Sequence, residues 1–298
     1  MKKIFLTLVA CLLLCFSVNS ANAFTIVDSW ELNLSVLNGE AFDGGTLGGF
    51  TDATNIDYVD ISGEAAIDQT VAGGVAVGQS FVETGYIQFN TYHQEGDSST
   101  SFFGIPNVDA DPSKPDYFLY FYYDSLTGVL NNDGSITFDT GAAQTGTIKF
   151  YLTDEGDLDP TAGVGTDLLL GEFEMIAPSG GSDLNFYGGG GANATIDISL
   201  QVIESTLIDP LLFTDADGNP VVDEEVFIHL ANTDSLLDDD FDPNPDNSGI
   251  DEFGNGISKI YVENAGQYKV AVIPEPTTML LFGFGLLGIA GFSRRKNS

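Results

Sequence analysis

The 298-residue sequence is poor in cysteine, arginine and histidine, and each scarcity closes off a class of function. Its two cysteines, Cys11 and Cys15, sit in an apolar stretch near the N-terminus. Thiol nucleophiles, thiolate metal sites and disulfide staples are therefore excluded from everything after residue 15. Arginine occurs only as Arg294 and Arg295, beside Lys296. Guanidinium forks for phosphate or sulfate are thus missing upstream. The two histidines, His93 and His229, stand far apart and in no HExxH-type pattern. There is no G-x-S-x-G elbow, and no phosphate-binding glycine loop leads into a helix. Among 44 acidic residues, no carboxylate pair for glycoside hydrolysis can be singled out. The chain reads as non-enzymatic.

Positive charge is the next shortage. Of nine basic residues, Lys2, Lys3, Arg294, Arg295 and Lys296 lie in the two ends. Between Phe24 and Pro276, only Lys114, Lys149, Lys259 and Lys269 stand against all 44 acidic residues, a formal charge of −40. Nucleic-acid binding relies on basic surface that displaces counterions, so no nucleic-acid partner is expected. Such a charge repels itself in a compact fold unless salt or divalent cations screen it. Solvation in a salty medium is one reading, and calcium binding is the other.

The two ends carry addresses. Lys2 and Lys3 precede the apolar run Ile4 to Val18, and Ala21-Asn22-Ala23 follows. That order is a secretory signal peptide, with Ala21 and Ala23 as the small cleavage-site residues and cleavage expected before Phe24. A competing lipoprotein-like box, Leu8-Val9-Ala10-Cys11, is followed by seven more residues of the apolar run. At the other end, Pro274-Glu275-Pro276 opens an uncharged run from Thr277 to Phe292, closed by Arg294, Arg295 and Lys296. As a helix this run covers roughly 24 Å, short of the ~30 Å hydrocarbon core. With Ser293 and the arginine stems it reaches across, so a transmembrane helix is expected over 277–293. The basic cluster places the residues before 277 outside the cytoplasm.

These ends resemble the PEP-CTERM proteins of Gram-negative bacteria, on V-I-P-E-P-T-T at 272–278, the Gly/Leu-rich run and F-S-R-R-K at 292–296. The resemblance implies a sorting signal (Pro274, Glu275, Pro276, Arg294, Arg295) processed by an exosortase-type membrane enzyme. It also implies a protein that accompanies exopolysaccharide in biofilm or floc. The central region is similar to the flocculation-associated PEP-CTERM proteins. The stretches concerned are T-N-I-D-Y at 54–58, V-A-V-G-Q-S-F-V-E-T-G at 75–85, A-P-S-G-G-S-D-L-N-F at 177–186 and N-P-D-N-S-G-I at 244–250.

Between the addresses, residues 24–272 read as β-structure. Ala194 to Val202 alternates Ile196, Ile198, Leu200 and Val202 with polar residues. Tyr86 to Tyr92, Thr147 to Leu152, Tyr268 to Val272 and Trp30 to Val36 follow the same rule. Tyr117 to Tyr123 is apolar on both faces, as in a strand covered on two sides. Turns are marked at Asn132-Asp133-Gly134, Asp217-Gly218-Asn219 and Gly188 to Gly191. Phe227 to Leu237 is the best candidate for a short helix. Residues 236–255 read as a long acidic loop, within a lobe or insertion at 207–256. The expected fold class is all-β, an antiparallel β-sandwich or a jelly-roll-like domain.

Metal chemistry, if present, is calcium, since only hard oxygen ligands are abundant. Asp242, Asn244 and Asp246 alternate as loop ligands do, with Asp251 or Glu252 able to close the shell. The loop departs from an EF-hand at Asn247 and Phe253, where glycine and glutamate are expected. Asp215-Ala216-Asp217-Gly218-Asn219 repeats the alternation but has Pro220 at the sharp turn. Asp154, Asp157 and Asp159 form a third acidic loop. For each, an ordinary solvated loop is the alternative. Trp30, Phe102-Phe103, Tyr117 to Tyr123 and Phe186-Tyr187 are candidates to stack on sugar rings, or to pack a core. The sequence thus reads as an exported, membrane-tethered surface or matrix protein. The alternative is a calcium-dependent, lectin-like sugar binder.

Overall fold

In the computed structural model, residues 25–26, 29–70, 78–97, 99–103, 105, 117–133, 135–154, 158, 167–183, 193–221, 226–237 and 257–272 are described. They form strands and short 3-10 turns, with no α-helix among them. The chain divides into a body, Ile26–Val272, and a second unit made of Met1–Thr25 and Ile273–Ser298. No helix among the described residues is long and apolar enough to cross a membrane. The transmembrane span expected over 277–293 and the signal peptide expected over 1–23 lie outside the described residues.

The first strands are short: Thr25–Ile26 (β1), Trp30–Leu32 (β2), Ala41–Phe42 (β3) and Gly45–Thr46 (β4). Long ones follow, Ala53–Thr70 (β5) and Gln79–Gln94 (β6), then the two-residue Thr100–Ser101 (β7). Phe118–Leu130 (β8), Ser135–Phe138 (β9), Thr147–Thr153 (β10), Leu168–Asp183 (β11) and Asn193–Val202 (β12) come next. Phe213–Asp215 (β13), Val226–Leu237 (β14) and Ile257–Val272 (β15) complete the order.

Eight of these strands, β5, β6, β8, β10, β11, β12, β14 and β15, pair antiparallel in chain order. β15 then pairs back onto β5, from Ile257 opposite Thr70 to Tyr268 opposite Val59. The hydrogen-bond path therefore closes into an eight-stranded barrel, with β9 bridging β8 and β11 and with β2 and β13 extending it. The all-β antiparallel expectation holds. Opposite arcs face each other across one core, as the layers of a sandwich do, but they belong to one continuous sheet. The order is that of the chain, without the crossing connections of a jelly roll. Phe227–Leu237, read as a helix from sequence, falls in β14, where it pairs with β12 on one side and β15 on the other.

Strands of 16 to 18 residues cannot stay flat, because twist accumulates along them. The bending is concentrated at register shifts and glycines. Shifts occur at Asp60/Ile61, Glu83/Gly85, Phe150/Tyr151 and Ile176/Gly180. A Cβ on Gly63 would fall on the Tyr86 carbonyl, and one on Gly85 on the Glu64 carbonyl and the Tyr123 hydroxyl.

Alternation sets the two faces. On β6, Phe81, Ile87 and Phe89 are buried while Ser80, Val82 and Asn90 are exposed. On β12 the expected Ile196, Ile198, Leu200 and Val202 are all buried. Phe89, Phe121, Phe150 and Tyr268 meet inside, with Phe89–Tyr268 and Phe121–Phe150 centroids each 4.8 Å apart. Asp60, Ser62, Glu64, Gln88, Asn90 and Asp124 face outward. Apolar inside and polar outside is the pattern of a water-facing barrel, the inverse of a lipid-facing one.

One end of the barrel, where β5 begins and β15 ends, is covered by the segments before β5 and after β12. Trp30 packs edge-on against Tyr268 at 5.6 Å and lies 6.2 Å from Phe213. Asn33 ties the two segments, its Nδ2 donating to Leu211 O at 2.7 Å and to Thr214 Oγ1 at 2.9 Å. The strand expected over Trp30 to Val36 stops at Leu32, and a 3-10 turn, Leu34–Leu37, buries Leu34 and Leu37.

Candidate functional site

Three sets of residues are candidates to carry chemistry: the two end segments expected to be addresses, the acidic loops, and the polar clusters within and on the barrel. Ala21, Ala23 and Phe24 lie outside the described residues, as do Pro274, Glu275, Pro276, Arg294 and Arg295. So do the loop residues Asp242, Asn244, Asp246 and Asp251. β14 ends at Leu237, and β15 begins at Ile257 opposite Thr70, the last residue of β5. β15 ends, at Val272, at the opposite end of the barrel.

The second acidic fragment is described, and it is organised as a turn on itself. Asp215 Oδ1 accepts from the amides of Asp217 at 2.9 Å and Asn219 at 2.8 Å, and Oδ2 accepts from Asn219 Nδ2 at 3.0 Å. These bonds, the Asn219 side chain foremost, hold the Asp215 carboxyl below the usual carboxylate range. Of the third loop, Asp154 is described, and Asp157 and Asp159 are not. Among the described residues, no group of three or more His, Cys, Asp or Glu is arranged to hold a metal ion.

Inside the barrel, Glu83 is the only acidic side chain among the described residues that is buried. The Tyr123 hydroxyl donates to its Oε1 at 3.1 Å. Burial pushes the Glu83 carboxyl up to about 7, against the opposing effect of the Tyr123 bond. Tyr123 also lines a small apolar cavity with Ile87, Leu126, Ile148, Met175 and Ile198. The sequence reading does not single out Glu83. Its signal is the alternation itself, since Phe81, Glu83, Gly85 and Ile87 share the inward phase of β6.

Outside, Tyr58 and His93 stack across β5 and β6, and Asp60 Oδ2 lies 2.8 Å from His93 Nε2. Thr91 Oγ1 donates to the same carboxylate oxygen at 3.1 Å. Lys269 on β15 sits 5.3 Å from the Tyr58 ring centre and 3.4 Å from Asp57 Oδ1. A second outward row runs Glu64, Tyr86, Tyr122, Lys149 and Glu172 in register across five strands. It is closed by a 3.2 Å Lys149–Glu172 ion pair. Behind it Tyr120 stacks on Tyr151 at 5.6 Å, and the Tyr120 hydroxyl donates to Asp167.

The aromatic candidates divide accordingly. Trp30, Tyr123 and Phe103 are buried, Tyr86 and Tyr122 are half-buried on the outer face, and Phe102 is 80% exposed. Phe186 and Tyr187 lie outside the described residues.

No curated protein and no solved structure matches the chain. One family model does, that of the PEP-CTERM protein-sorting motif, over residues 272–296. The match takes in Pro274, Glu275, Pro276, Arg294 and Arg295, and implies export, cell-surface sorting and an exosortase-type processing partner. The motif begins at the last residue of β15, so what the match shows of this chain is a PEP-CTERM protein-sorting motif over its residues 272–296.

Proposed function

We propose that the protein is a non-enzymatic constituent of the cell surface or extracellular matrix. Its acidic barrel is exported, held by a helix over 277–293, and incorporated among exopolysaccharide, where it promotes aggregation, flocculation or biofilm formation. The observation that carries this reading is the PEP-CTERM sorting motif matched over residues 272–296. A polar outer face on a barrel packed with aromatic side chains supports it, since that is a stable body made to stand in water. Deleting the gene should weaken cell aggregation in calcium-replete medium, and unchanged aggregation would overturn the reading. Intact-mass analysis of surface-released protein tests the processing step. An end near Pro276 means the segment was cut, and a mass running to Ser298 means a lasting anchor.

The outward tyrosine row favours a second reading, a lectin-like role with calcium held by Asp242, Asn244, Asp246 and Asp251. Tyr86 and Tyr122 offer aromatic surface, and Lys149, Glu172 and Gln88 offer hydrogen-bonding groups around it. A pull-down with the producer's own exopolysaccharide, with and without chelator, separates the two. Absence of retained polysaccharide in both arms removes the lectin reading and leaves the first standing.

A further inference from the structure

A carboxyl enclosed in an apolar barrel is unstable when charged, because the low-dielectric interior penalises the ion and no cation compensates it. Glu83 meets that description from every side that is described. Its register partner on β5 is Ile67, and on β8 it is Leu126. The titratable group that reaches it is Tyr123, whose own hydroxyl is pushed well above its ordinary value, first by burial and then by Glu83. Tyr86 acts on Tyr123 through space rather than on Glu83. No charged neighbour contributes to the carboxyl's own shift, which comes from burial and is opposed only by the Tyr123 bond. β10, β11 and β12 present Ile148, Met175 and Ile198 to the cavity that Tyr123 lines.

The backbone around this pair is also the place where the barrel bends. The β6–β8 register shifts between Glu83 and Gly85, and Gly85 lies so close to Tyr123 that a Cβ there would strike its ring. The carboxyl, the phenol and the bend are therefore one packed unit.

We propose that Glu83 and Tyr123 form a pH-operated latch in the barrel wall. With the carboxyl neutral, the buried pair carries no charge penalty in the apolar wall, and the β5–β6–β8 arc stays closed beside the cavity. When the carboxyl gives its proton to water, the charge draws solvent into that cavity and the arc loosens. The folded carboxyl titrates at about 7 against an unfolded value of 4.5. Its contribution to stability is therefore complete below 4.5, falls between 4.5 and about 7, and stays lost above. Across that window the unfolding equilibrium shifts toward the unfolded chain by on the order of a hundredfold.

The test is thermal unfolding of the full-length protein in detergent across this pH range, at high fixed ionic strength so that the bulk acidic charge is screened. The wild type should lose stability between pH 4.5 and about 7 and then level off, and Glu83→Gln should not. An equal fall in Glu83→Gln overturns the proposal. Should that variant fail to fold, the infrared signal of protonated carboxyl decides, read on wild type and Tyr123→Phe. The wild type should keep a protonated carboxyl at pH 6, and Tyr123→Phe should move its loss to higher pH, because the bond that favours the charged form is gone. A wild type without that signal, or an unmoved midpoint in Tyr123→Phe, refutes the latch.

Discussion

Tyr58 and His93 stack with ring centroids 4.2 Å apart and planes 19° from parallel. They are direct partners in the β5–β6 register, so the stack follows from the pairing of two strands whose outward phase carries a ring at the same level. Lys269, from β15, approaches Tyr58 on the side of the third strand, and Asp60 holds His93. The cluster therefore staples together the three strands at which the barrel closes. A double-mutant cycle of Tyr58→Ala and His93→Ala should give a coupling of about 0.5–1.5 kcal/mol in denaturant unfolding. Strict additivity would mean that the stack contributes nothing to closure.

Gly63 and Gly85 permit the close approach that turns the wall. At Gly63 a side chain would collide with the Tyr86 carbonyl of the neighbouring strand, which no rotamer change relieves. Gly63→Ala should therefore destabilise by about 3 kcal/mol or more, beyond the usual cost of overpacking. Gly48→Ala is the comparison, since open space surrounds that position and its backbone is not left-handed. The difference in urea midpoints between these two variants measures the bend.

These glycines also show where the sequence is legible and where it is not. Alternation in Ala194 to Val202 predicts the inward set of β12 correctly, because each residue's face depends only on its neighbours along the strand. Tyr117 to Tyr123 is likewise readable: Leu119, Phe121 and Tyr123 are buried within, and Tyr120 is covered on the outside by Tyr151. Closure is different in kind. It rests on β5 meeting β15 across most of the chain, and no local pattern encodes a pairing so remote. Phe227 to Leu237 fails for a related reason, since a short apolar run suits a helix or a strand and the slot between β12 and β15 decides. The sorting motif is legible because it is a linear code, read in the order Pro274-Glu275-Pro276, apolar run, basic pair. Glu83 is hidden among 44 acidic residues until the barrel shows which of them it encloses.

Phe121 is the hub of the aromatic core. Its ring lies within 4.8–5.9 Å of those of Phe150, Phe173, Phe89 and Tyr268, on four other strands. Those partners are held by the barrel wall and cannot collapse into the space a truncation leaves. Phe121→Ala should cost about 3–5 kcal/mol, near the upper part of the range for a buried ring. Phe102→Ala, on an 80% exposed ring, should change stability little. Equal losses in the two variants would contradict the core placement.

The proposed calcium reading predicts a metal response that depends on residues 238–252 and not on the Asp215 turn. Both Asp215 carboxylate oxygens are already engaged by the amides and side chain of their own loop, so a cation there would have to break those bonds. The loop at 238–252 supplies Asp242, Asn244 and Asp246 at alternate positions, with Asp251 beyond. Thermal unfolding with calcium and with chelator should then differ by about 3–4 kcal/mol at saturating metal, since the ion binds the folded chain alone. The paired change Asp242→Asn with Asp246→Asn should abolish that difference, whereas Asp215→Asn should leave it intact. A chelator response that survives the first variant and disappears in the second would move the metal to the turn. An absent response in the wild type, at low and at high salt alike, would leave the acidic residues with solvation as their role.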